Sequence, residues 1–222
     1  MVPLVGLTTL QSMSDQDLKI GEHVLVLGAS GGTGHFAVQV AKAKGARVTA
    51  VCGSSNMEFV KGLGADVVID YTQGDVLDAL RAEVSHHGPF DLVFDSVSSH
   101  DPRDSKFTYE QRIRAACPKL IKGNYVFIGG LVNDWLRAHV KRFCGIFTFG
   151  AGRELFWVRF PYSWADLEHL KTWCENGALK PVLYRSLPFT EENVREAFRL
   201  QMNRRVVGKL VLDFNSLDAT CS

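Results

Sequence analysis

Apolar runs alternate with amphipathic stretches along residues 24–128 of the chain. Short runs of Val, Ile, Leu and Phe without intervening polar residues are typical of strands that are buried on both faces. The pattern predicts strands at 24–27, 48–51, 67–69, 92–94 and 125–128, and helices at 35–44, 57–63, 76–84 and 111–121. Strands and helices that alternate in this way, about every 20–30 residues, predict right-handed βαβ units on a parallel sheet.

The regular alternation of strands and helices ends after Leu131. A predicted helix at 133–142 is followed by an aromatic-rich segment at 143–160. Beyond that segment the spacing predicts helices at 166–176 and 191–202 and strands at 181–187 and 209–213. Two strands are too few to make a stable sheet of their own. We therefore expect this tail either to join the main sheet or to complete a structure that lies outside the chain.

Composition and charge exclude several classes of protein. The 222 residues carry 25 Lys and Arg against 24 Asp and Glu, so no nucleic acid or anionic membrane is expected as a partner. No apolar run reaches the roughly 18 residues that a membrane-spanning helix needs. The five cysteines are widely and irregularly spaced without a CxxC pair. This spacing predicts reduced thiols, an intracellular location and no structural zinc.

The strongest chemical signal is residues 28–34, the glycine loop, between the first predicted strand and the first predicted helix. Ala29, Gly31 and Gly34 match the G-x-G-x-x-G pattern, with alanine in place of the first glycine. Small residues there allow a tight turn, the approach of a pyrophosphate and close packing of the helix on the strand. The loop predicts a dinucleotide site on a Rossmann-type, doubly wound α/β fold. Its predicted cofactor-binding residues are Ser30, Gly31, Gly32, Thr33 and Gly34.

The end of the second predicted strand bears on the choice of nucleotide. NAD sites normally have Asp or Glu there to bind the ribose 2′-hydroxyl, whereas residues 51–56 contain no carboxylate. We therefore expect NADPH rather than NADH, with Ser54, Ser55 and Tyr71 as the nearest hydrogen-bond donors. Asp95, at the end of the fourth strand, either contacts the cofactor or caps its own loop.

Short-chain dehydrogenases carry similar glycine loops, but they need a Tyr-x-x-x-Lys pair to protonate the substrate oxygen. None of the five tyrosines in this chain has a lysine four residues later. The short-chain mechanism is therefore excluded, while a non-catalytic NADP-sensing relative of that family stays open.

Seven motifs occur in order along the chain, at 3–11, 21–34, 63–66, 69–71, 94–97, 179–182 and 207–212. Together they resemble the zinc-independent medium-chain dehydrogenases/reductases of the quinone oxidoreductase type, from Pro3 to Phe214. Residues 48–52 are similar to the mitochondrial reticulon-interacting subgroup of that family.

The resemblance implies hydride transfer from NADPH to a small-molecule substrate, a quinone or an enone. It places Thr8 and Thr9 beside the nicotinamide, and it places Gly129 and Gly130 near the nicotinamide in the turn after the fifth strand. Val5 stands where zinc-dependent relatives have a cysteine ligand. No catalytic zinc is therefore expected.

The resemblance also divides the chain. Residues 1–162 correspond to the dinucleotide-binding domain, residues 163–216 to a segment that returns to a GroES-like catalytic domain, and residues 217–222 to a tail. In the family the GroES-like domain precedes these residues, so we expect the chain to lack most of it. Segment 143–160 corresponds to an edge strand that forms homodimers, and a cytoplasmic or mitochondrial location is implied.

Two functions stay open from the sequence alone. The first is an NADPH-dependent quinone or enone reductase, of which this chain is the cofactor-binding portion. The second is an NADP-binding redox sensor or interaction module without turnover.

The chain departs from the family at one position of the predicted cofactor site. Asn56 stands where many relatives have a lysine near the 2′-phosphate.

Overall fold

The computed structural model describes residues 2–97, 109–116, 119–128, 136, 153–155 and 163–214. The helices are α1 (Pro3–Asp15), α2 (Gly34–Ala43), α3 (Met57–Gly62), α4 (Val76–His87), α5 (Tyr109–Ala116), α6 (Trp164–Glu175) and α7 (Glu191–Met202). The strands are β1 (His23–Leu27), β2 (Arg47–Cys52), β3 (Val67–Asp70), β4 (Phe90–Asp95), β5 (Ile121–Phe127), β6 (Arg153–Leu155), β7 (Leu183–Pro188) and β8 (Lys209–Asp213).

Six strands form one parallel sheet in the order β3-β2-β1-β4-β5-β6. Strand order reverses between β1 and β4, and in such sheets ligands bind beyond the carboxyl ends of the strands at this reversal. Helices cover both faces over two apolar cores. The predicted Rossmann-type α/β fold is confirmed.

Two predicted elements differ from the structure. Helix α1 was not predicted, because its residues Val5–Met13 are all buried and the sequence therefore lacks the polar face that reveals a surface helix. The helix predicted at 111–121 is wrong at its end, since α5 ends at Ala116 and Ile121 already pairs with Phe90 in the sheet. Pro118, which cannot continue a helix, marks this boundary in the sequence.

The C-terminal strands β7 and β8 pair with one another in parallel and form a separate sheet of two strands. We call β7, β8 and α7 the C-terminal unit. The tail therefore does not join the main sheet, and that alternative is wrong, whereas completion of a structure outside the chain stays a prediction. The unit leaves apolar side chains in solvent, with Leu183 47% and Phe198 67% exposed.

Several predictions fall on residues outside the described ranges. They include Gly129, Gly130, most of the helix predicted at 133–142, and most of segment 143–160. Within that segment only β6 is described, at the edge of the large sheet beside β5, and the homodimer stays a prediction. In the described part of the chain, no helix is long and apolar enough to cross a membrane.

Candidate functional site

The glycine loop begins with a sharp turn at the end of β1. Gly28 has φ +76°, and its N–H and that of Ala29 both donate to the carbonyl of Val51, at 3.1 and 3.0 Å. A Cβ on Gly28 would lie 2.5 Å from a methyl carbon of Val97, just after β4. The loop therefore starts in the crevice between β1 and β4. The turn is made by Gly28, one residue before the alanine that matches the first position of the motif.

Gly31 and Gly34 serve different purposes. A Cβ on Gly34 would lie 2.0 Å from the carbonyl oxygen of Gly28, so only glycine allows α2 to pack this closely against the turn. A Cβ on Gly31 would meet only that same oxygen, at 3.4 Å, and would otherwise point into open space. Gly31 therefore leaves room for a ligand, whereas Gly34 is required by the fold itself.

The first turn of α2 offers free hydrogen-bond donors. Its N-cap residue, Thr33, makes no capping bond through its side chain. Among the described residues, the N–H groups of Gly32 and Thr33 donate to no hydrogen-bond acceptor. Such amides carry partial positive charge at a helix N-terminus and favour an anion.

The C-terminal unit lies against this loop. The N–H of Gly208 donates to the carbonyl of Ser30 at 3.0 Å. A Cβ on Gly32 would lie 3.6 Å from Nζ of Lys209, and burial lowers the pKa of this lysine. Sequence reasoning missed Lys209 as a site residue, although it lies in the motif at 207–212.

A buried histidine completes this contact. Nδ1 of His35 donates to the carbonyl of Gly31 at 3.0 Å, which leaves Nε2 to accept the N–H of Val182 at 3.4 Å. Burial lowers the pKa of His35, and the nearby Lys209 lowers it further. The neutral imidazole therefore joins the glycine loop to the chain just before β7.

The carboxyl ends of β2 and β3 form a polar corner. The exposed Ser54 hydroxyl donates to Asp70 at 2.5 Å and lies 2.6 Å from the hydroxyl of Thr72. The Ser54 hydrogen bond holds the pKa of Asp70 below its ordinary value. Sheet register pairs Asp70 with Cys52, so β3 supplies a carboxylate that residues 51–56 lack. Only the pairing of the two strands reveals it.

Two more predicted residues lie at this corner. Tyr71 is half exposed, and a Cβ on Gly53 would lie 3.5 Å from its hydroxyl. Ser55 is exposed in a short 3₁₀ turn after β2. The side chain of Asn56 donates to the Ser30 hydroxyl at 3.3 Å. The corner is thereby linked to the glycine loop.

Asp95 is fully buried at the end of β4. One carboxylate oxygen accepts the N–H of Val97 at 2.9 Å and the other accepts the hydroxyl of Tyr125 at 2.5 Å. These bonds hold the loop after β4 and join β4 to β5. They correspond to the loop-capping alternative, and a cofactor contact of Asp95 stays a prediction.

Thr8 and Thr9 lie within α1, where both are buried. Their hydroxyls donate to carbonyls of the preceding turn, Thr8 to Leu4 at 2.7 Å and Thr9 to Val5 at 3.0 Å. No hydrogen bond between described residues joins either threonine to the glycine loop. Their position beside a nicotinamide stays a prediction.

The described residues contain no group of three or more His, Cys, Asp or Glu side chains arranged to hold a metal ion. Nδ1 of His87 lies 3.0 Å from Oε1 of Glu83, with which it pairs. Cys52 is a free, buried thiol, and burial raises its pKa to about 11. A thiol with so high a pKa is a poor nucleophile at neutral pH.

Comparison with known proteins places this arrangement in a family. A family model described as zinc-binding dehydrogenase matches residues 63–212. The mitochondrial NAD(P)H oxidoreductase RTN4IP1 of Mus musculus is 32% identical over 224 residues, which cover 96% of this chain and 54% of the mouse protein. The trans-enoyl reductase pgmF of Aspergillus terreus is 30% identical over 95% of this chain and 57% of its own.

A solved structure supports the same relationship. The quinone oxidoreductase from Coxiella burnetii superposes with a TM-score of 0.71 at 26% identity, over 94% of this chain and 57% of that one. The chain thus spans about half the length of the curated relatives it matches. It belongs to the medium-chain dehydrogenase/reductase family of nicotinamide-dependent oxidoreductases.

Proposed function

We propose that this chain is the cofactor-binding portion of an oxidoreductase that transfers hydride from NADPH to a quinone or an enone. The observation that carries the proposal is the glycine loop, with its free amides and its position in the crevice between β1 and β4. The names of the relatives, a quinone oxidoreductase and a trans-enoyl reductase, support this class of substrate.

The described residues fit a nicotinamide cofactor. A methyl group on Gly31 would occupy the open space beside the loop, which is the space that a pyrophosphate needs. The amides of Gly32 and Thr33 would donate to the phosphates, and the polar corner at Ser54, Ser55 and Tyr71 would hold the adenosine ribose. A bound nicotinamide supplies the hydride, while these residues fix the cofactor's position.

The proposal also covers how the chain is divided into domains. We assign residues 1–162 to the dinucleotide-binding domain and residues 163–216 to the part that joins a catalytic domain. The exposed apolar side chains of the C-terminal unit support this assignment, since large apolar patches usually contact another protein surface. The mitochondrial location in the mouse relative's name supports the same location for this chain.

Binding of NADPH to the full chain tests the proposal. We expect Gly31→Ala to weaken binding at least about tenfold, because its methyl group fills the phosphate space while causing no backbone clash. Gly62→Ala is the matched control, since nothing lies within 4 Å of a Cβ there. Equal NADPH affinity for both variants would contradict the proposed site. Oxidation of NADPH by phenanthrenequinone then separates a reductase from a cofactor-binding sensor.

The preference for NADPH over NADH requires its own experiment, because Asp70 lies beside Ser54. An ionised carboxylate repels a 2′-phosphate and favours a ribose hydroxyl. We expect Asp70→Asn to strengthen NADPH binding several-fold relative to NADH. An unchanged ratio would show that Asp70 does not face the ribose. A wild-type preference for NADH would overturn the choice of NADPH.

A further inference from the structure

Asp70 brings a negative charge to the polar corner that is proposed to hold the adenosine ribose. It is the last residue of β3 and pairs with Cys52 at the end of β2. Burial raises the pKa of the Cys52 thiol to about 11, and the charge of Asp70 contributes to this rise. An exposed carboxylate would repel the 2′-phosphate of NADPH in the same way. An NADPH site that contains Asp70 must therefore weaken this repulsion.

Two hydroxyl groups surround the Asp70 carboxylate. Ser54 donates to Oδ2 at 2.5 Å, and Thr72 donates to Oδ1 through its hydroxyl at 2.7 Å and through its N–H at 2.9 Å. These hydrogen bonds hold the pKa of Asp70 below its ordinary value, the one from Ser54 most strongly. Because the positive ends of the donor dipoles point at the carboxylate, they reduce the negative potential that it projects into the corner.

The number of protons limits what these hydroxyls can offer to a ligand. The hydroxyl oxygens of Ser54 and Thr72 also lie 2.6 Å apart, so three short O···O contacts join the two hydroxyls and the carboxylate. Each hydroxyl has one proton, and both protons are used within these three contacts. In this arrangement the hydroxyls shield the carboxylate, and they have no proton left to donate to a 2′-phosphate.

We propose that Thr72 determines cofactor specificity through Asp70: together with Ser54 it shields the carboxylate, so that the corner admits the 2′-phosphate of NADPH as well as the ribose hydroxyl of NADH. This inference rests on the proposed cofactor site and adds to it a positioning residue in the turn after β3. Thr72 supplies two of the three described donors to Asp70. An ionised carboxylate has about four acceptor sites, so Asp70 can still accept a ribose hydroxyl.

Equilibrium binding of NADPH and of NADH to variants of the full chain tests Thr72, because the two cofactors differ only in the 2′-phosphate. Thr72→Val keeps the shape of the side chain but removes the hydroxyl, and it should weaken NADPH binding about fivefold relative to NADH. Thr72→Ser keeps the hydroxyl and should retain the wild-type ratio. Thr172→Val is the matched control, since Thr172 is exposed on α6 and its hydroxyl donates to the Glu168 carbonyl at 2.9 Å.

A double-mutant cycle with Asp70→Asn separates shielding from a direct contact of Thr72 with the phosphate. In the Asp70→Asn background, Thr72→Val should change the ratio of the two affinities by less than about twofold, because no charge is left to shield. An unchanged ratio in Thr72→Val, an equal change in both backgrounds, or a wild type that binds NADH but not NADPH would each overturn the inference. A wild type that binds neither cofactor would instead overturn the proposed function as well.

Discussion

The two ends of β1 and β2 are built in opposite ways. At the amino end, His23 begins β1 and Arg47 begins β2, and the buried Glu83 of α4 lies between them. Oε1 of Glu83 is 3.4 Å from Arg47, 3.0 Å from His87 and 3.6 Å from His23. Nε2 of His23 also lies 2.9 Å from the hydroxyl of Thr49. Most buried polar groups at this end therefore satisfy one another, although Nε of Arg47 has no hydrogen-bond partner among the described residues.

At the carboxyl end several hydrogen-bond donors have no acceptor among the described residues. These donors are the amides of Gly32 and Thr33 and the ammonium group of Lys209, which lies beside Gly32. The comparison shows that polarity alone does not mark a site. A polar cluster whose hydrogen bonds are made within the protein stabilises the fold. A cluster of positively polarised donors without acceptors favours the binding of an anion.

The largest expected effect is a difference in stability between alanine variants of two glycines in the glycine loop. Gly34→Ala should lower the free energy of unfolding by more than about 3 kcal/mol, because its methyl group would collide with backbone at Gly28. Gly31→Ala should leave stability nearly unchanged. Urea denaturation of the two variants, with Gly62→Ala as the control, measures the difference. Equal stabilities would show that the loop is not packed as described.

A smaller effect is expected at the amino end. Glu83→Gln removes the charge shared by His23, Arg47 and His87 and should lower the free energy of unfolding by about 2 kcal/mol. NADPH affinity of the folded variant should stay unchanged. Glu58→Gln is the control, because Glu58 is exposed on α3. Weakened NADPH binding in Glu83→Gln would remove the distinction between the two ends.

The smallest expected effect is on how the free energy of unfolding depends on pH. Burial lowers the pKa of His23 below its ordinary 6.5, against the opposing influence of Gly88 and Glu83. The unfolded chain therefore takes up this proton before the native state does, so stability falls as the pH drops below about 6.5. The pKa of His35 is also lowered by burial, so this histidine likewise makes stability fall as the pH drops. His23→Gln should flatten unfolding free energy between about pH 7 and about pH 5. An unchanged pH dependence of the unfolding free energy in His23→Gln would contradict this prediction.

The sequence predicted those elements whose signal is local. The strand at 24–27 and the glycine loop follow from residue types and their order, and the structure confirms that strand and the Rossmann-type fold. The helix predicted at 57–63 differs from α3 by one residue at its end. Local signals succeed because hydrophobic period and glycine placement are decided within a few residues.

The missed features depend on contacts between distant residues. Helix α1 is buried on all sides by elements that come later in the chain, so no amphipathic pattern was present to detect. Asp70 reaches the corner at Ser54 only through the register of β3 on β2. Lys209 reaches Gly32 across more than half of the chain. No window of sequence contains such pairs.

The contact between α1 and α6 has a consequence for synthesis of the chain. A Cβ on Gly6 would lie 2.8 Å from Leu170, and Gln11 donates to Asp166 at 2.8 Å. The ribosome releases α1 long before α6, and at roughly 5–20 residues per second the wait lasts on the order of 10 s or more. During that interval part of the apolar surface of α1 has no partner, so a nascent chain stalled before Trp164 should bind chaperones through this helix.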